Sequence, residues 1–334
     1  MKKTALLLLS FIMMSCSTSQ NKSTTSSQGT PKVFANSITA TELKENLYMY
    51  ASDEFEGRKT GEPGQKKAVE FIKKYYIDNG IPSPISEGDY FQEIPASFFN
   101  GGIKDSENVL AFIKGSEKPD EIIVISAHLD HIGISGNDIN NGADDDGSGT
   151  VAILEIAEAF KQAADNGQSP KRSILFLHVT GEEIGLYGSL YYTDVDPVFP
   201  LENTVANLNI DMIGRVDPKH EDSRNYVYLI GSDKLSQELH DVSEAVNKAF
   251  INLEFDYTYN DDNDPNRFYY RSDHYNFAKN NIPVIFYFNG THADYHRPTD
   301  TPDKIEYDLL ETRTRLIFHT AWELANREER IKLD

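Results

Sequence analysis

The chain is poor in cysteine and in long apolar runs. Cys16 is the only cysteine among the 334 residues, so the chain cannot form an internal disulfide. The apolar run from Ala5 to Met14 is interrupted only by Ser10 and is too short for a membrane-spanning helix, which needs about 20 residues; no later run is long enough. These absences exclude a disulfide-stabilised fold and predict no transmembrane helix.

Positive charge is also scarce. Lysine and arginine together number 32, against 53 aspartates and glutamates, and the formal net charge is -21 at pH 7. Nucleic acids and anionic lipid head groups are themselves negative, so a chain of this charge repels them. We therefore expect no nucleic-acid partner.

The first residues are typical of a targeting segment. Two lysines precede the short apolar run and the small residue Ser15 follows it, so residues 1–15 are predicted to be a signal peptide. Cys16 resembles the lipidated cysteine of bacterial lipoproteins, although an ordinary signal peptide beside an incidental cysteine fits the same pattern. Residues 16–36, largely Ser, Thr and Gln, are expected to be a flexible tether. We expect a bacterial envelope protein, periplasmic or at the surface and tethered to a membrane through lipid on Cys16, or a secreted protein.

From residue 37 to residue 334, short β-rich runs alternate with helical periodicity. This part has no further low-complexity linker and no repeat, which favours one domain. The alternation predicts an α/β fold whose central, mostly parallel mixed sheet carries helices on both faces. The predicted strands are residues 109–113, 122–127, 173–179, 205–210, 226–230 and 284–288, and the predicted helices are residues 64–79, 148–163, 235–250 and 309–327.

A histidine motif follows the second predicted strand, at the sheet edge where α/β proteins collect functional side chains. His128 is a candidate metal ligand there, and Asp130 is the carboxylate that would orient its imidazole. His131 is the competing ligand.

Three consecutive aspartates, Asp144, Asp145 and Asp146, stand in a glycine-rich turn before a predicted helix. Carboxylates crowded in this way repel one another unless a cation lies among them. A calcium loop would need alternating ligands and a glutamate at its twelfth position, where Glu155 stands, but the intervening positions rise into the helix. The turn therefore favours another metal.

Further candidate ligands follow three later strands. Glu182 and Glu183 come after residues 173–179, in a turn bounded by glycines, where one could bind metal while the other acts as general base. Asp211 ends the strand predicted at 205–210, and His296 lies in the loop after 284–288.

In this order and spacing, the motifs resemble the M28 family, the co-catalytic zinc exopeptidases that include bacterial leucine aminopeptidases. The resemblance extends over nearly all of residues 37–334 and implies a zinc exopeptidase-like domain. Further matching segments are Ser52–Arg58, Thr60–Gly61, Asn108–Val109, Ser272–His274 and Ile282–Pro283.

The resemblance also implies a role for each candidate. His128 and Asp211 would bind one ion, Glu183 and His296 the other, and Asp144 would bridge both. The ions would be two Zn²⁺, although nitrogen and oxygen donors leave Mn²⁺ and Co²⁺ open. A cis peptide would follow the bridging aspartate.

For catalysis, the resemblance implies that Glu182 is the general base and that Tyr269 hydrogen-bonds the developing oxyanion. Asp130 would support the site behind His128. The expected enzyme is a metallo-aminopeptidase that acts on the N-terminal residues of peptides.

Three alternatives stay open. A glutaminyl cyclase would use one zinc and would have an incomplete second site, whereas all five ligand positions are filled here. A carboxypeptidase would need cations near the metals for the terminal carboxylate, and a binding lipoprotein on a peptidase scaffold would have lost ligands. The arginines available to a carboxypeptidase are Arg215, Arg267, Arg271 and Arg297.

Overall fold

The computed structural model describes residues 31–334. The predicted signal peptide, Cys16 and most of the predicted tether lie outside the described residues. The end of that tether is different from the prediction, because helix α1, Pro31–Ala35, lies within it. Phe34 is buried in the core, where its ring stacks on Trp322 at 5.8 Å between centroids.

Eight strands form one mixed sheet at the centre of the described chain. Its order is β1-β2-β6-β3-β7-β10-β8-β9, and β4 and β5 form a separate hairpin. The strands are β1 Phe91–Ile94, β2 Ser106–Ile113, β3 Lys118–His128, β4 Gly133–Ser135, β5 Asp138–Asn140, β6 Arg172–Val179, β7 Thr204–Ile210, β8 Tyr226–Ile230, β9 Glu254–Asp256 and β10 Val284–Phe288.

The four central strands, β6, β3, β7 and β10, are parallel, and the register of β3 shifts only near its start. Val124 of β3 lies beside Leu175 of β6 and Asn207 of β7, and Asn207 lies beside Val284 of β10. Because all four strands run the same way, their carboxyl ends meet at one edge of the sheet. The outer strands β2 and β8 are antiparallel to their inner neighbours.

Helices cover both faces of the sheet, as predicted. Ile123 and Ile125 of β3 point into a core shared with most of the helices, whereas Val124 points to the opposite side, where it packs with α5 and α7. None of the described helices is both long and apolar enough to cross a membrane. The remaining helices are α2 Ala40–Tyr50, α3 Pro63–Asp78, α4 Gly149–Asp165, α5 Tyr187–Asp194, α6 Gln237–Phe250, α7 His274–Ala278 and α8 Tyr307–Asn326.

Local sequence explains the boundaries of several elements. Helix α6 begins after Ser236, whose hydroxyl accepts from the Leu239 N–H at 3.2 Å, and α3 begins at Pro63, whose missing N–H is not needed in a first turn. Strand β6 is buried on both faces, and residues 174–177 form a continuous apolar run, as expected for a strand covered on both sides. The predicted α/β fold is confirmed.

Candidate metal centre

The predicted ligands converge at the carboxyl edge of the parallel strands. His128 ends β3, Asp211 directly follows β7, and Glu183 follows β6 after a short turn. His296 comes from the loop after β10, and Asp145 comes from the turn before α4. Residues far apart in sequence therefore line one cleft.

The first donor group surrounds His128. Its Nε2 lies 3.1 Å from Oδ1 of Asp145 and 3.7 Å from Oδ1 of Asp211. The Nδ1–H of the same ring donates to the main-chain carbonyl of Asp130 at 3.0 Å, which leaves Nε2 free for a ligand. All three donor side chains are buried.

The second donor group surrounds Glu183. His296 Nε2 lies 3.0 Å from Oδ2 of Asp145 and 3.2 Å from Oε2 of Glu183. His131 Nδ1 lies 2.7 Å from Oε1 of Glu183 and 3.8 Å from Oδ2 of Asp145. The two oxygens of Asp145 thus face different donor groups.

The spacing and hydrogen bonding of these donors are typical of metal ligands. Within residues 31–334, four of the buried donor atoms have no hydrogen-bond partner, although each lies within 4 Å of another: His128 Nε2, His131 Nδ1, Asp145 Oδ2 and Glu183 Oε1. Ligands around a tetrahedral zinc ion, with bonds of about 2.0 to 2.2 Å, are about 3.3 Å apart. Three of the six contacts between these side chains, at 3.0, 3.1 and 3.2 Å, fall near that spacing, and the chemistry of the donor set suits two divalent ions sharing Asp145.

The structure contradicts the prediction that Asp144 bridges the ions. Its Oδ1 accepts from the Gly214 N–H at 2.7 Å, and its Oδ2 lies 3.1 Å from Nε2 of His292. Asp145 instead stands between the two donor groups. The cis peptide joins Asp145 to Asp146, so it also lies one residue later than predicted.

The direction of the turn explains this shift. Its first residue, Gly142, has a positive φ of 52°, and the carboxylate of Asp300 accepts from the main-chain N–H groups of Asp144 and Asp145. Asp146 turns back to accept from the N–H groups of Gly149 and Met212, at 2.9 and 3.0 Å. Only the middle aspartate faces the cleft.

Asp130 supports the site in a different way from the prediction. Its main-chain carbonyl holds His128, while its carboxylate lies 3.9 Å from that ring. The carboxylate accepts from the Thr60 hydroxyl at 2.8 Å and from the Glu182 N–H at 3.2 Å. Asp130 therefore joins the histidine at the end of β3 to the turn that carries both glutamates.

The pKa values of the two adjacent glutamates are shifted in opposite directions. Burial raises the pKa of Glu182 well above its usual range, and the nearby His128 opposes this only in part. Burial and Asp145 also act to raise the pKa of Glu183, but its contacts with His131 and His296 outweigh them and lower it. Neighbouring carboxylates whose pKa values are pushed apart are suited to different roles.

Tyr269 does not reach the cleft, which contradicts its predicted role. A short 3₁₀ turn, Phe268–Tyr270, follows the positive φ of Arg267 and places Phe268 toward the cleft but Tyr269 away from it. The Tyr269 ring lies instead under the ammonium of Lys234, at 5.1 Å.

Tyr295 is the tyrosine that lines the cleft, and its ring stacks on His296 at 3.9 Å between centroids. Sequence reasoning missed it, although its position next to a predicted ligand was a usable signal. The cleft is narrow, and aromatic side chains stand beside the acidic donors in its lining. Its other lining residues include Glu182, Met212, Phe268, Arg271, Phe286, Phe288 and Thr291.

The side chain of Arg58 connects two of the loops that carry ligands. It is 1% exposed, and its guanidinium donates to the carbonyls of Leu129, Asn141 and Gly142 at 3.2, 2.6 and 2.8 Å. The loop after His128 and the turn before Asp145 are therefore held together by one side chain.

Comparison with known proteins gives three kinds of match. The family model described as "Peptidase family M28" matches residues 108–321. A probable glutamate carboxypeptidase of Arabidopsis thaliana is 32% identical over 105 residues, 31% of this chain and 14% of that protein. A probable aminopeptidase of Saccharomyces cerevisiae is 27% identical over 229 residues, 66% of this chain and 57% of that protein. The chain thus spans less than two thirds of these curated relatives.

Among solved structures, a zinc aminopeptidase from Bacillus subtilis superposes with a TM-score of 0.65 and 17% identity. The superposition covers 89% of this chain and 98% of that one. At this identity the likeness concerns the fold, which agrees with the mixed sheet and its covering helices.

Proposed function

Because the chain belongs to peptidase family M28, we propose that it is an aminopeptidase that removes N-terminal residues from peptides with the help of two zinc ions. The observation that carries the proposal is the position of Asp145, with one oxygen facing His128 and the other facing His296. A shared carboxylate of this kind is what two closely spaced dications require.

The proposed ligands follow from the two donor groups. His128 and Asp211 would hold one ion, Glu183 and His296 the other, and Asp145 both. Mixed imidazole and carboxylate donors suit zinc and also accept Mn²⁺ or Co²⁺. The name of the Bacillus subtilis protein, a zinc aminopeptidase, supports zinc.

When bound, the ions would supply Lewis acidity at the scissile carbonyl and would activate a water. Glu182 lines the cleft beside Asp145 and Asp211, where its carboxylate can accept the proton of the attacking water and return it to the departing amine. Its main-chain N–H is held by Asp130, which keeps the glutamate in position.

The names of the relatives support the choice of peptide end. The Saccharomyces cerevisiae relative is a probable aminopeptidase, and the Bacillus subtilis structure is a zinc aminopeptidase. The proposal is therefore an exopeptidase that reads the amino end.

The test uses the full chain loaded with zinc and assayed on leucine, alanine and glutamate p-nitroanilides, with and without chelator. Glu182→Gln should retain both ions and lower kcat by about 10²- to 10⁴-fold, because only the proton acceptor is lost. The adjacent Glu183→Gln is the matched variant and should lose an ion. Activity that survives complete metal removal, or a fully active Glu182→Gln enzyme, contradicts the proposal.

A second candidate, a carboxypeptidase, is favoured by one residue. Arg271 lines the cleft, and within residues 31–334 it has no ion pair with a carboxylate. Arg215, by comparison, is paired with Asp294 at 3.0 Å, and Arg267 lies over Tyr270. A terminal carboxylate could therefore bind Arg271.

Blocked peptides separate the two candidates. An aminopeptidase cleaves a peptide with an amidated carboxyl end and spares one with an acetylated amino end, whereas a carboxypeptidase does the reverse. Arg271→Gln should weaken only the carboxypeptidase activity, with Arg297→Gln as an arginine control outside the lining of the cleft. Conversion of an N-terminal glutamine without hydrolysis would indicate a glutaminyl cyclase.

We further propose that the protein is anchored at the bacterial envelope by lipid on Cys16. The support is the sequence pattern around that residue. Cys16→Ser should move the protein from the membrane fraction to the soluble fraction, and an unchanged distribution would contradict the anchor.

A further inference from the structure

We infer that His131 is an additional ligand of the ion held by Glu183 and His296, an inference that rests on the proposed two-ion function. The second site would then contain four protein side chains, and the first site three. The sequence offered His131 only as an alternative to His128, not as a ligand beside His296.

His131 lies among the donors of the second group. His131 Nδ1, a carboxylate oxygen of Asp145 and a carboxylate oxygen of Glu183 lie within 4.8 Å of one another. The imidazole is fully buried, with a side-chain exposure of 0%, at the edge of the same donor group that contains His296. A donor nitrogen in this place is within reach of a shared ion.

The contact between the His131 ring nitrogen and Glu183 is close but is not a hydrogen bond. His131 Nδ1 lies only 2.7 Å from Oε1 of Glu183, yet neither atom has a hydrogen-bond partner in the described part of the chain. A hydrogen bond at that distance requires the N–H to point at the oxygen. Here it does not, so the two atoms lie side by side without a hydrogen bond, as two ligands of one ion do.

The imidazoles of His131 and His296 are close enough to share an ion. The ring centroids of His131 and His296 are 5.8 Å apart, and their planes are inclined by 69°. With zinc–nitrogen bonds of about 2.0 to 2.1 Å, two imidazoles on a tetrahedral ion have centroids about 5 to 6 Å apart. The observed separation agrees with joint binding.

The neighbouring main chain leaves space for the His131 ring. A Cβ at Gly142 would lie 2.5 Å from the His131 Cγ, so the absence of a side chain there leaves room for the imidazole. The His131 N–H donates to the carbonyl of Arg58 at 3.3 Å, and Arg58 itself is fixed by its contacts below the site. The main chain on both sides therefore leaves the ring a place beside Glu183.

The experiment compares metal binding by the full wild-type chain and three variants. His131→Ala removes the donor, His131→Gln keeps a group that can donate a hydrogen bond to Glu183, and His178→Gln removes another buried histidine, one bonded to the Tyr76 hydroxyl at 2.6 Å. Zinc affinity is measured by competition with a chromogenic chelator. The absorption of the Co²⁺-loaded chain reports the coordination number, independently of activity.

If His131 is a ligand, both of its variants should bind the second zinc at least about 100-fold more weakly, and their Co²⁺ spectra should change. His178→Gln should behave like the wild type. X-ray absorption of the wild-type chain with two zinc ions should count three imidazoles rather than two. This last measurement needs no variant, so it decides the question even if a variant fails to fold.

Two outcomes overturn the inference. If His131→Gln binds the second ion like the wild type while His131→Ala does not, the histidine is a hydrogen-bond donor and not a ligand. If both variants bind normally, it has neither role. In either case a wild-type chain that holds two ions and cleaves peptides leaves the proposed function intact, whereas a wild type that binds fewer than two ions removes both.

Discussion

The adjacent residues Asp144 and Asp145 give the sharpest test of the site, because the same change at each should have different results. In Asp145→Asn, the carboxylate that faces both donor groups loses its charge. Two dications about 3.5 to 4 Å apart repel by about 18 kcal/mol at an effective dielectric constant of about 20. Without the shared carboxylate we expect at most one bound ion and an activity at least about 1,000-fold lower.

Asp144→Asn should leave both ions in place. Asparagine keeps an oxygen that can accept from the Gly214 N–H, and only the ionic contact with His292 is weakened. Burial opposes the charge on His292, but its hydrogen bond to Asp144 outweighs this and raises its pKa. We expect a loss of about 1 to 3 kcal/mol in the free energy of unfolding and an activity lowered by about 10- to 100-fold at most.

The assay is zinc per chain after exhaustive dialysis, together with hydrolysis of leucine p-nitroanilide and thermal unfolding of each variant. The reasoning is refuted if Asp144→Asn loses the ions while Asp145→Asn keeps both. In that case the sequence-based choice of Asp144 would be right and the direction of the turn wrong.

Three further predictions follow from other parts of the structure. Burial, with help from Glu42 and Glu158, raises the pKa of Glu155 from 4.5 to about 8, so the metal-free chain should lose stability as the pH rises through that interval. Glu155→Gln should abolish this loss and be about 5 kcal/mol more stable than the wild type at pH 9 but not at pH 4, measured by urea unfolding. Gly142→Ala places a Cβ 2.2 Å from the carbonyl oxygen of Asp145, at a residue with a positive φ. We expect it to lower the free energy of unfolding by more than about 1 kcal/mol and to release zinc. The control Gly136→Ala also has a positive φ, but its Cβ lies in open space, so this variant should retain zinc. Removal of zinc by chelator should lower the Tm reversibly, since an ion present at about 1,000 times its Kd adds about 4 kcal/mol; an unchanged Tm would mean that no ion contributes to the fold.

The fold could be predicted well wherever a segment is long and apolar on a regular period. All six predicted strands and all four predicted helices are present, because burial imposes the same periodicity that the sequence displays. The edge strands β1 and β9 were missed, since strands of three or four half-exposed residues carry little pattern. Helix α2 was missed although Thr39 caps it.

The site could be predicted only as far as residue type and strand ends allow. His128, Glu183, Asp211 and His296 are brought together where the parallel strands end. The choice among three adjacent aspartates could not be made from sequence, because it depends on main-chain direction.

That direction is set by contacts between distant segments. Asp300, which holds the turn, is 156 residues from Asp144 in sequence. Tyr269 was wrong for a similar reason, because the 3₁₀ turn after Arg267 decides which of two neighbouring aromatic residues faces the cleft.

Arg58 also determines how freely one part of the surface can vary. By binding the carbonyls of Leu129 and Asn141, it closes the base of the excursion that contains the β4–β5 hairpin. The tip of this hairpin, around Gly136 and Asn137, is exposed. Lengthening a loop whose ends are already fixed adds little entropy penalty and does not move those ends. We therefore expect that a peptide tag inserted between Gly136 and Asn137 leaves zinc binding unchanged, which makes this tip a suitable point for labelling or immobilising the enzyme.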